Sequence, residues 1–359
     1  MRRAVQARIN LNALKHNVNV VKSYAPNSKI LAVIKADAYG HGMIEMAKAL
    51  DGVDGFGVAC VKEANALRHE NITIPILLLS GFFDKEELHA SAKYDLDVVV
   101  HQLQQVEQLE SASLATPVNV WLKIDTGMHR LGVSPENFAE IYHRLVACSS
   151  VANINVMTHF ACADEEERSK TESQIQSFNQ VVEGIDGEQS LANSAAVIAY
   201  PDAHRNWVRP GIMLYGVSPF EDKTGVTFDL KPVMTYTSHI MAIRQCKKGD
   251  ALGYGATWAC PEDMSVGIVA VGYGDGYPRH AQAGTPVLVQ GQRAPLVGRV
   301  SMDSMFVDLR SCPQAQLGDE VVLWGDNLPV EEVASFCDTI SYELLCKVTA
   351  RTQYIYTEN

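Results

Sequence analysis

The sequence lacks the features that hold disulfide-rich or zinc-dependent folds together. Its eight cysteines are scattered, with no C-x-x-C pair and no regular Cys/His cluster. In a chain of 359 residues, this distribution predicts reduced thiols rather than a disulfide framework or a metal site. The eight are Cys60, Cys148, Cys162, Cys246, Cys260, Cys312, Cys337 and Cys346.

Long apolar runs are also missing. None approaches the roughly 18 residues that a membrane-spanning helix needs. The opening residues, MRRAV, are followed by polar sequence and not by the apolar core of a signal peptide. These two observations predict a cytoplasmic protein without a membrane partner.

The chain has no excess of positive charge, since its formal net charge is -12. Proteins that bind nucleic acid generally need basic patches for the phosphates, so we expect no nucleic-acid partner. A small anionic ligand remains compatible, because a few positive groups inside a cleft dominate the local field.

Short apolar, β-branched runs recur from residue 30 to about residue 215, and most precede a stretch with helical periodicity. Such alternation predicts parallel strands with helical crossovers. Eight units fit a (β/α)8 TIM-type barrel better than an open sheet. The predicted strands are Ile30–Ile34, Gly55–Ala59, Ile74–Leu79, Leu96–Val100, Val118–Ile124, Ile154–Thr158, Ser190–Asn193 and Trp207–Arg209.

The pattern changes after Phe228. The segments that follow are short, rich in β-formers and separated by turns such as Lys248-Gly249-Asp250 and Leu317-Gly318-Asp319. They predict a separate, mostly β domain. We therefore expect a barrel over residues 1–229 and a C-terminal β domain over residues 230–359.

Polar residues gather where the predicted barrel strands end. Function in such barrels lies at the carboxyl ends of the strands, so these side chains should share one mouth. Lys35 follows an apolar strand and precedes a glycine-containing turn. A lysine at a desolvated mouth can lose its proton and form an imine. The alternative is a surface lysine that happens to close a strand. The set is Lys35, Lys123, Asp125, Arg130, His159, Asn193, Ser194 and Arg209.

The loops after the last two predicted strands resemble an anion site. Barrel enzymes often bind phosphate there, and a serine hydroxyl with nearby backbone N–H groups suits it. The loops are Asn193-Ser194-Ala195-Ala196 and Arg209-Pro210-Gly211-Ile212. Two ordinary turns are the alternative. The combination with Lys35 favours a pyridoxal phosphate site, because that cofactor needs both an amine and an anion clamp.

Several motifs together resemble the bacterial alanine racemases. Val33–Gly42 (VIKADAYGHG) is similar to that family's pyridoxal phosphate attachment motif, and the similarity continues in order along nearly the whole chain. The further motifs are KIDTGMHRLG (123–132), THFACAD (158–164), NSAA (193–196), VRPGIMLYG (208–216), GYGAT (253–257), VGYGDG (271–276) and GRVSMD (298–303).

The resemblance implies a pyridoxal phosphate-dependent isomerase that interconverts L- and D-alanine and supplies D-alanine for peptidoglycan. Lys35 is similar to the cofactor-bearing lysine and base for the D-enantiomer. Tyr254 resembles the opposing base for the L-enantiomer, supplied by the β domain of the other subunit of a homodimer with shared active sites. Asp37 and His129 depart from the family, where many members carry Asn and Gly.

The resemblance also assigns binding residues. Arg209 would meet the pyridine nitrogen with His159 behind it, and a guanidinium is a poor proton donor to that ring. Lys123 matches a lysine that is carbamylated in some members; the alternative is an unmodified lysine in a salt bridge. Cofactor binding is assigned to Lys35, Tyr39, His159, Asn193, Ser194, Arg209, Gly211, Ile212 and Tyr342, and substrate binding to Arg130, Met302 and Tyr273.

Three alternatives stay open. A barrel-type amino-acid decarboxylase would use the same cofactor, but the sequence has no glycine-triplet phosphate loop and no Cys-Glu-x-Gly-Arg motif. A non-catalytic pyridoxal phosphate carrier would lack residues 230–359. A racemase of broader substrate range is the nearest alternative; such enzymes tend to be exported.

Overall fold

The computed structural model describes residues Val5 to Glu358. The first four residues, on which the predicted absence of a signal peptide partly depends, lie outside this range. The described chain begins with strand β1 (Gln6–Asn10) and helix α1 (Leu11–Tyr24). The side chain of Asn10 caps this helix, because its Oδ1 accepts the N–H of Ala13 at 2.9 Å.

Backbone contacts divide the chain into two compact units. Among the described residues, the barrel unit comprises 18–38 and 42–214, and the β unit comprises 5–17, 39–41 and 215–358. The boundary after residue 229, and the tasks assigned to residues 1–229 and 230–359, remain predictions.

The barrel unit contains a closed ring of parallel strands paired in chain order, which confirms the predicted fold. Each predicted strand is present, with ends shifted by at most three residues. Most of the strands are largely apolar, because both faces of a barrel strand are covered. The strand at 151–157 is the exception, since its first half is partly exposed. The barrel strands are β2 (Lys29–Val33), β3 (Gly55–Val58), β4 (Ile76–Leu78), β5 (Asp97–Val100), β6 (Val118–Lys123), β7 (Val151–Met157), β8 (Gln189–Asn193) and β9 (Trp207–Arg209).

Helices connect these strands. The connections also contain short 3-10 helices at Pro135–Asn137, Pro201–Ala203 and Ile212–Tyr215. The helices are α2 (Lys35–Gly40), α3 (Met43–Ala49), α4 (Val61–His69), α5 (Lys85–Lys93), α6 (Leu103–Ser111), α7 (Phe138–Ala147), α8 (Ser169–Val181) and α9 (Ser194–Ala199).

Inside the barrel, one layer of large apolar side chains forms a core cluster. Trp121 and Trp207 meet edge to face, with ring centroids 6.0 Å apart. This layer fills part of the barrel interior with apolar side chains. The cluster is Leu31, Leu77, Val99, Trp121, Met157 and Trp207.

The β unit is built on an eight-stranded sheet in the order β13-β16-β15-β14-β17-β10-β1-β18, with an additional β13–β10 pairing. A two-stranded sheet joins β11 to β12. The strands are β10 (Met234–Cys246), β11 (Ala251–Leu252), β12 (Trp258–Ala259), β13 (Met264–Val269), β14 (Pro286–Val289), β15 (Gln292–Val297), β16 (Met305–Asp308), β17 (Glu320–Trp324) and β18 (Gln353–Thr357). The helices are α10 (Val330–Ser335) and α11 (Ser341–Cys346), with 3-10 segments at Gly225–Phe228, Tyr254–Ala256 and Tyr273–Asp275.

Strand β1 belongs to this sheet, although it lies at the other end of the chain. It pairs antiparallel with β10 and parallel with β18. Its alternation of buried Ala7 and Ile9 with more exposed neighbours is a strand signal that the sequence analysis missed. Within the described residues, every helix is too short or too polar to cross a bilayer.

Candidate active site

Basic groups converge where the barrel strands end. Lys123 is the last residue of β6 and Arg209 the last of β9, while Lys35 follows β2 by two residues. Burial, together with the charges of Arg209, Arg130 and Lys35, lowers the pKa of Lys123 to about 8. This mutual influence places the four predicted groups at one mouth, where their combined field favours an anion.

His159 belongs to the same cluster. Burial, with Arg209 and Lys123 beside it, lowers the pKa of its imidazole well below the usual value. Nη2 of Arg209 lies 3.3 Å from Nδ1 of His159. Because the guanidinium can only donate, Nδ1 accepts, and the neutral ring carries its proton on Nε2.

The guanidinium of Arg209 is held on several sides. Nη1 donates to Oγ of Ser190 at 2.7 Å, and Nη2 donates to the carbonyl oxygen of Thr158 at 2.7 Å and of Leu191 at 3.2 Å. Burial lowers the pKa of Arg209 to about 10, so the group stays charged at neutral pH. These contacts fix the orientation of the guanidinium.

The backbone after Lys35 forms a left-handed helical turn. Residues 36, 37, 38 and 39 have φ angles of 52°, 53°, 54° and 54°. Such a conformation costs a non-glycine residue about 1–2 kcal/mol, so surrounding contacts must hold it. Glu63 supplies one of these contacts, since its carboxylate accepts the N–H of Ala36 at 2.8 Å. The same carboxylate also accepts the N–H of Ala59 at 2.7 Å, which fixes Glu63 itself.

The two departures from the family pattern have structural explanations. Oδ1 of Asp37 accepts the N–H of Met43 at 2.7 Å, and the side-chain oxygen of an asparagine offers an equivalent acceptor. His129 has a φ of 55°, a conformation that glycine adopts without strain. Nδ1 of His129 lies 3.3 Å from Oδ2 of Asp125, so the histidine gains a local partner.

The predicted anion loops approach each other. The N–H of Gly211 donates to Oγ of Ser194 at 2.8 Å, and Oδ1 of Asn193 caps α9 by accepting the N–H of Ala196 at 3.0 Å. Ser194 and Ile212 are both buried. The structure therefore brings together the barrel residues of the predicted phosphate site.

Two further predicted cofactor residues lie in the β unit. Tyr39 stacks on Tyr215 with centroids 4.9 Å apart, and its centroid lies 6.0 Å from that of Tyr342. Burial, with Tyr342 beside it, raises the pKa of Tyr39. Its hydroxyl therefore remains protonated at neutral pH and is suited to hydrogen bonding.

The remaining predicted residues of the β unit are exposed. Tyr254 is 68% exposed, Met302 52% and Tyr273 40%. Tyr254 sits between Gly253 (φ 70°) and Gly255 (φ 77°), and positive φ angles at both neighbours require glycine-like freedom. The turn presents the phenol of Tyr254 outward.

Some residues of the site were not identified from the sequence. Ser190 and Thr158 orient Arg209, and Glu63 stabilises the turn after Lys35. No local motif marks them, because their partners lie 19, 51 and 27 residues away. Within residues 5–358, no group of three or more His, Cys, Asp or Glu side chains is placed to hold a metal ion. All eight cysteines are free thiols.

Comparison with known proteins agrees with this geometry. The model of the alanine racemase N-terminal domain matches residues 9–219, and that of the C-terminal domain matches residues 233–356. Alanine racemase from Nitrosococcus oceani is 52% identical over 350 residues, covering 96% of this chain and 97% of its own. Alanine racemase from Coxiella burnetii (strain RSA 493) is 50% identical over 358 residues, covering 98% of each chain.

Solved structures show the same similarity. The biosynthetic alanine racemase from Pseudomonas aeruginosa superposes with a TM-score of 0.97 at 46% identity, covering 99% of this chain and 100% of its own. Alanine racemase from Acinetobacter baumannii gives 0.94 at 40% identity, with 99% and 100% coverage. Both matched domains and these full-length similarities show that the chain belongs to the alanine racemase family.

Proposed function

We propose that this chain is an alanine racemase that uses pyridoxal phosphate to interconvert L- and D-alanine, and that it supplies D-alanine for peptidoglycan in the cytoplasm. The observation that carries the proposal is the cluster of Lys35, Lys123, Arg130, His159 and Arg209 at one barrel mouth. Full-length similarity to alanine racemases supports the same reaction.

The donor groups at the barrel mouth fit pyridoxal phosphate. Lys35 supplies an amine for covalent attachment, Arg209 would face the ring nitrogen, and Ser194 with the N–H groups of Gly211 and Ile212 would hold the phosphate. Tyr39, Asn193, His159 and Tyr342 complete the proposed cofactor-binding set. When bound, pyridoxal phosphate withdraws electrons from the α-carbon of the substrate and so makes its proton removable.

Inversion at the α-carbon requires removal of the proton from one face and its return on the other, and two bases on opposite faces achieve this without moving the substrate. We assign Lys35 to the face of the D-enantiomer and Tyr254 of a second chain to the face of the L-enantiomer. The exposure of Tyr254, at 68%, leaves its hydroxyl available to a partner.

A homodimer follows from this assignment, because the β unit of each chain would complete the site of the other. Arg130, Met302 and Tyr273 are assigned to the substrate: Arg130 near the phenolic oxygen of the cofactor ring, Met302 near the substrate carboxylate and Tyr273 at the entrance. Lys123 would brace Arg130, either as the carbamate or as the amine.

The testing experiment measures racemisation of alanine, serine, lysine and arginine by the wild type, Lys35→Ala, Tyr254→Phe and the control Lys62→Ala. Lys62 is an exposed lysine on α4. We expect alanine to be the preferred substrate and each catalytic substitution to lower kcat at least about a thousandfold. The control should retain wild-type activity. Full activity of Lys35→Ala would contradict the proposal.

The same experiment separates the alternatives. Comparable rates on all four amino acids would indicate a racemase of broad range, and release of carbon dioxide would indicate a decarboxylase. A carrier protein would bind pyridoxal phosphate without exchanging the α-proton of alanine in deuterated water.

A further inference from the structure

Two loops of the β unit, residues 272–276 and residues 301–304, carry the predicted substrate residues Tyr273 and Met302. Backbone hydrogen bonds join the two loops. The N–H of Tyr273 donates to the carbonyl of Ser301 at 3.1 Å, and the N–H of Gly274 donates to that of Met302 at 2.9 Å. A Cβ atom on Gly272 would lie 2.2 Å from the Ser301 oxygen. The close approach therefore depends on glycine, and a shift of either loop moves the other.

Arg351 contacts both loops from the carboxyl-terminal segment. Its Nη2 lies 2.7 Å from Oδ1 of Asp303, and its Nε lies 3.3 Å from Oδ1 of Asp275. Asp303 follows Met302 directly, and Asp275 lies two residues after Tyr273. One guanidinium thus ties together the loops of both predicted substrate residues.

The carboxylate of Asp275 makes this link stiff. It is completely buried, whereas Arg351 is 37% exposed. Its Oδ2 accepts the N–H of Gly272 at 3.0 Å, so the same carboxylate holds the start of the Tyr273 loop and pairs with the arginine. A buried carboxylate is costly without a compensating charge, and the ion pair with Arg351 supplies that charge.

The segment around Arg351 is itself fixed against the Tyr273 loop. The N–H of Thr349 donates to the carbonyl of Asp275 at 3.2 Å, and its Oγ1 donates to that of Gly274 at 3.1 Å. A Cβ on Gly276, whose φ is 105°, would lie 2.2 Å from the carbonyl oxygen of Lys347. The guanidinium therefore projects from a fixed base.

We propose that Arg351 is a positioning residue for substrate recognition, which sets the separation of the loops bearing Tyr273 and Met302 through its contacts with Asp275 and Asp303. The proposal rests on the proposed function, in which Tyr273 and Met302 face the substrate. Arginine suits the task because its planar fork can donate to two carboxylates in a fixed geometry, whereas lysine presents a flexible point charge.

The test compares Arg351→Met and Arg351→Lys with a matched control, Arg310→Met, all in the full-length enzyme. Arg310 also pairs with two carboxylates, Asp308 and Glu262, in the same unit, and its side chain is 41% exposed. The hydrogen bonds of its guanidinium go to Asp308 and Glu262, which lie outside residues 272–276 and 301–304. The control therefore measures the effect of losing an arginine that makes two ion pairs.

In Arg351→Met we expect KM for both enantiomers of alanine to rise about tenfold while kcat changes less than about threefold, since substrate contacts shift and the bases remain. Arg351→Lys should recover only part of the rise in KM. Amide hydrogen exchange should accelerate in residues 272–276 and 301–304 of Arg351→Met and stay unchanged there in Arg310→Met.

Unchanged KM together with unchanged exchange in Arg351→Met would overturn the proposal, and so would an equal rise in KM in Arg310→Met. If Arg351→Met does not fold, the same two measurements, KM for alanine and amide hydrogen exchange, are made on Arg351→Lys and decide the question. Failure of the wild type to racemise alanine would overturn the proposed function instead. In that case, faster amide hydrogen exchange in the two loops of Arg351→Met would still support the structural link made by Arg351. Unchanged exchange would contradict that link.

Discussion

Nη2 of Arg209 lies 3.3 Å from Nδ1 of His159, and the guanidinium is the donor in this contact. The imidazole is therefore neutral with its proton on Nε2. Burial and the neighbouring cations keep its pKa well below the usual value. The site thus holds a histidine that stays uncharged where a free histidine would titrate.

This relationship predicts how stability depends on pH. Below about pH 6.5 the unfolded chain protonates His159 and the folded chain does not, so the unfolded state binds more protons. The contribution of neutral His159 to the free energy of unfolding is therefore fully present above about pH 6.5 and is lost as the pH falls below it. At about pH 5.5 the loss reaches up to about 1.4 kcal/mol relative to a variant without this group.

Urea unfolding of the wild type and His159→Gln at about pH 7.5 and about pH 5.5 measures the effect. The free energy of unfolding of the wild type should fall more between the two conditions than that of the variant. Equal falls would show that His159 titrates normally in the folded protein.

A second prediction concerns Lys123. Because its pKa is lowered to about 8, a substantial fraction of the amine is neutral near that pH and can add to the carbon of carbon dioxide, releasing a proton and leaving a carbamate. We expect a carbamate signal in the NMR spectrum of enzyme equilibrated with 13C-bicarbonate. The control is Lys123→Arg, which keeps the charge and cannot form this adduct. If wild type and control give the same spectrum, Lys123 is the unmodified amine beside Asp125.

The assignment of two bases predicts asymmetric proton exchange. In deuterated water, Tyr254→Phe retains Lys35, so the α-proton of D-alanine should still exchange without inversion. The α-proton of L-alanine should exchange at least about a hundredfold more slowly than in the wild type, because its base is missing. Proton NMR of each enantiomer, with chiral analysis of the product, gives both rates. Equal slowing for the two enantiomers would contradict a separate base on each face.

Gly216 should tolerate substitution less well than another left-handed glycine of the β unit. A Cβ at Gly216 (φ 84°) would lie 1.8 Å from the carbonyl oxygen of Lys231, whereas Gly249 (φ 90°) has open space around that position. We expect Gly249→Ala to lose about 1–2 kcal/mol of stability, from the backbone conformation alone. Gly216→Ala should lose about 3 kcal/mol or more, because the backbone must also move.

Chemical denaturation of both variants and the wild type tests this difference. Equal losses for the two alanine variants would show that the contact at Gly216 relaxes without cost.

Much of the barrel was predictable because its signals are local. Most strands are short apolar runs followed by a helical pattern, as in Val118–Lys123 and Phe138–Ala147. The end of each strand is equally visible, so Lys123 and Arg209 could be assigned to one mouth before any distance was known. Strand β1 was missed because a five-residue alternation is a weak signal and its partners, β10 and β18, lie far along the chain.

The sequence by itself determined the barrel order, the β-rich second part and the identity of the groups at the strand ends, since apolar periodicity and short motifs depend on neighbouring residues. Only the tertiary structure decided the protonation states and the contacts of those groups. The lowered pKa of Lys123, the tautomer of His159 and the bridge from Arg351 to Asp275 and Asp303 all depend on distances between residues remote in sequence. Coulombic and hydrogen-bond energies depend on separation in space, which the linear order of residues does not contain.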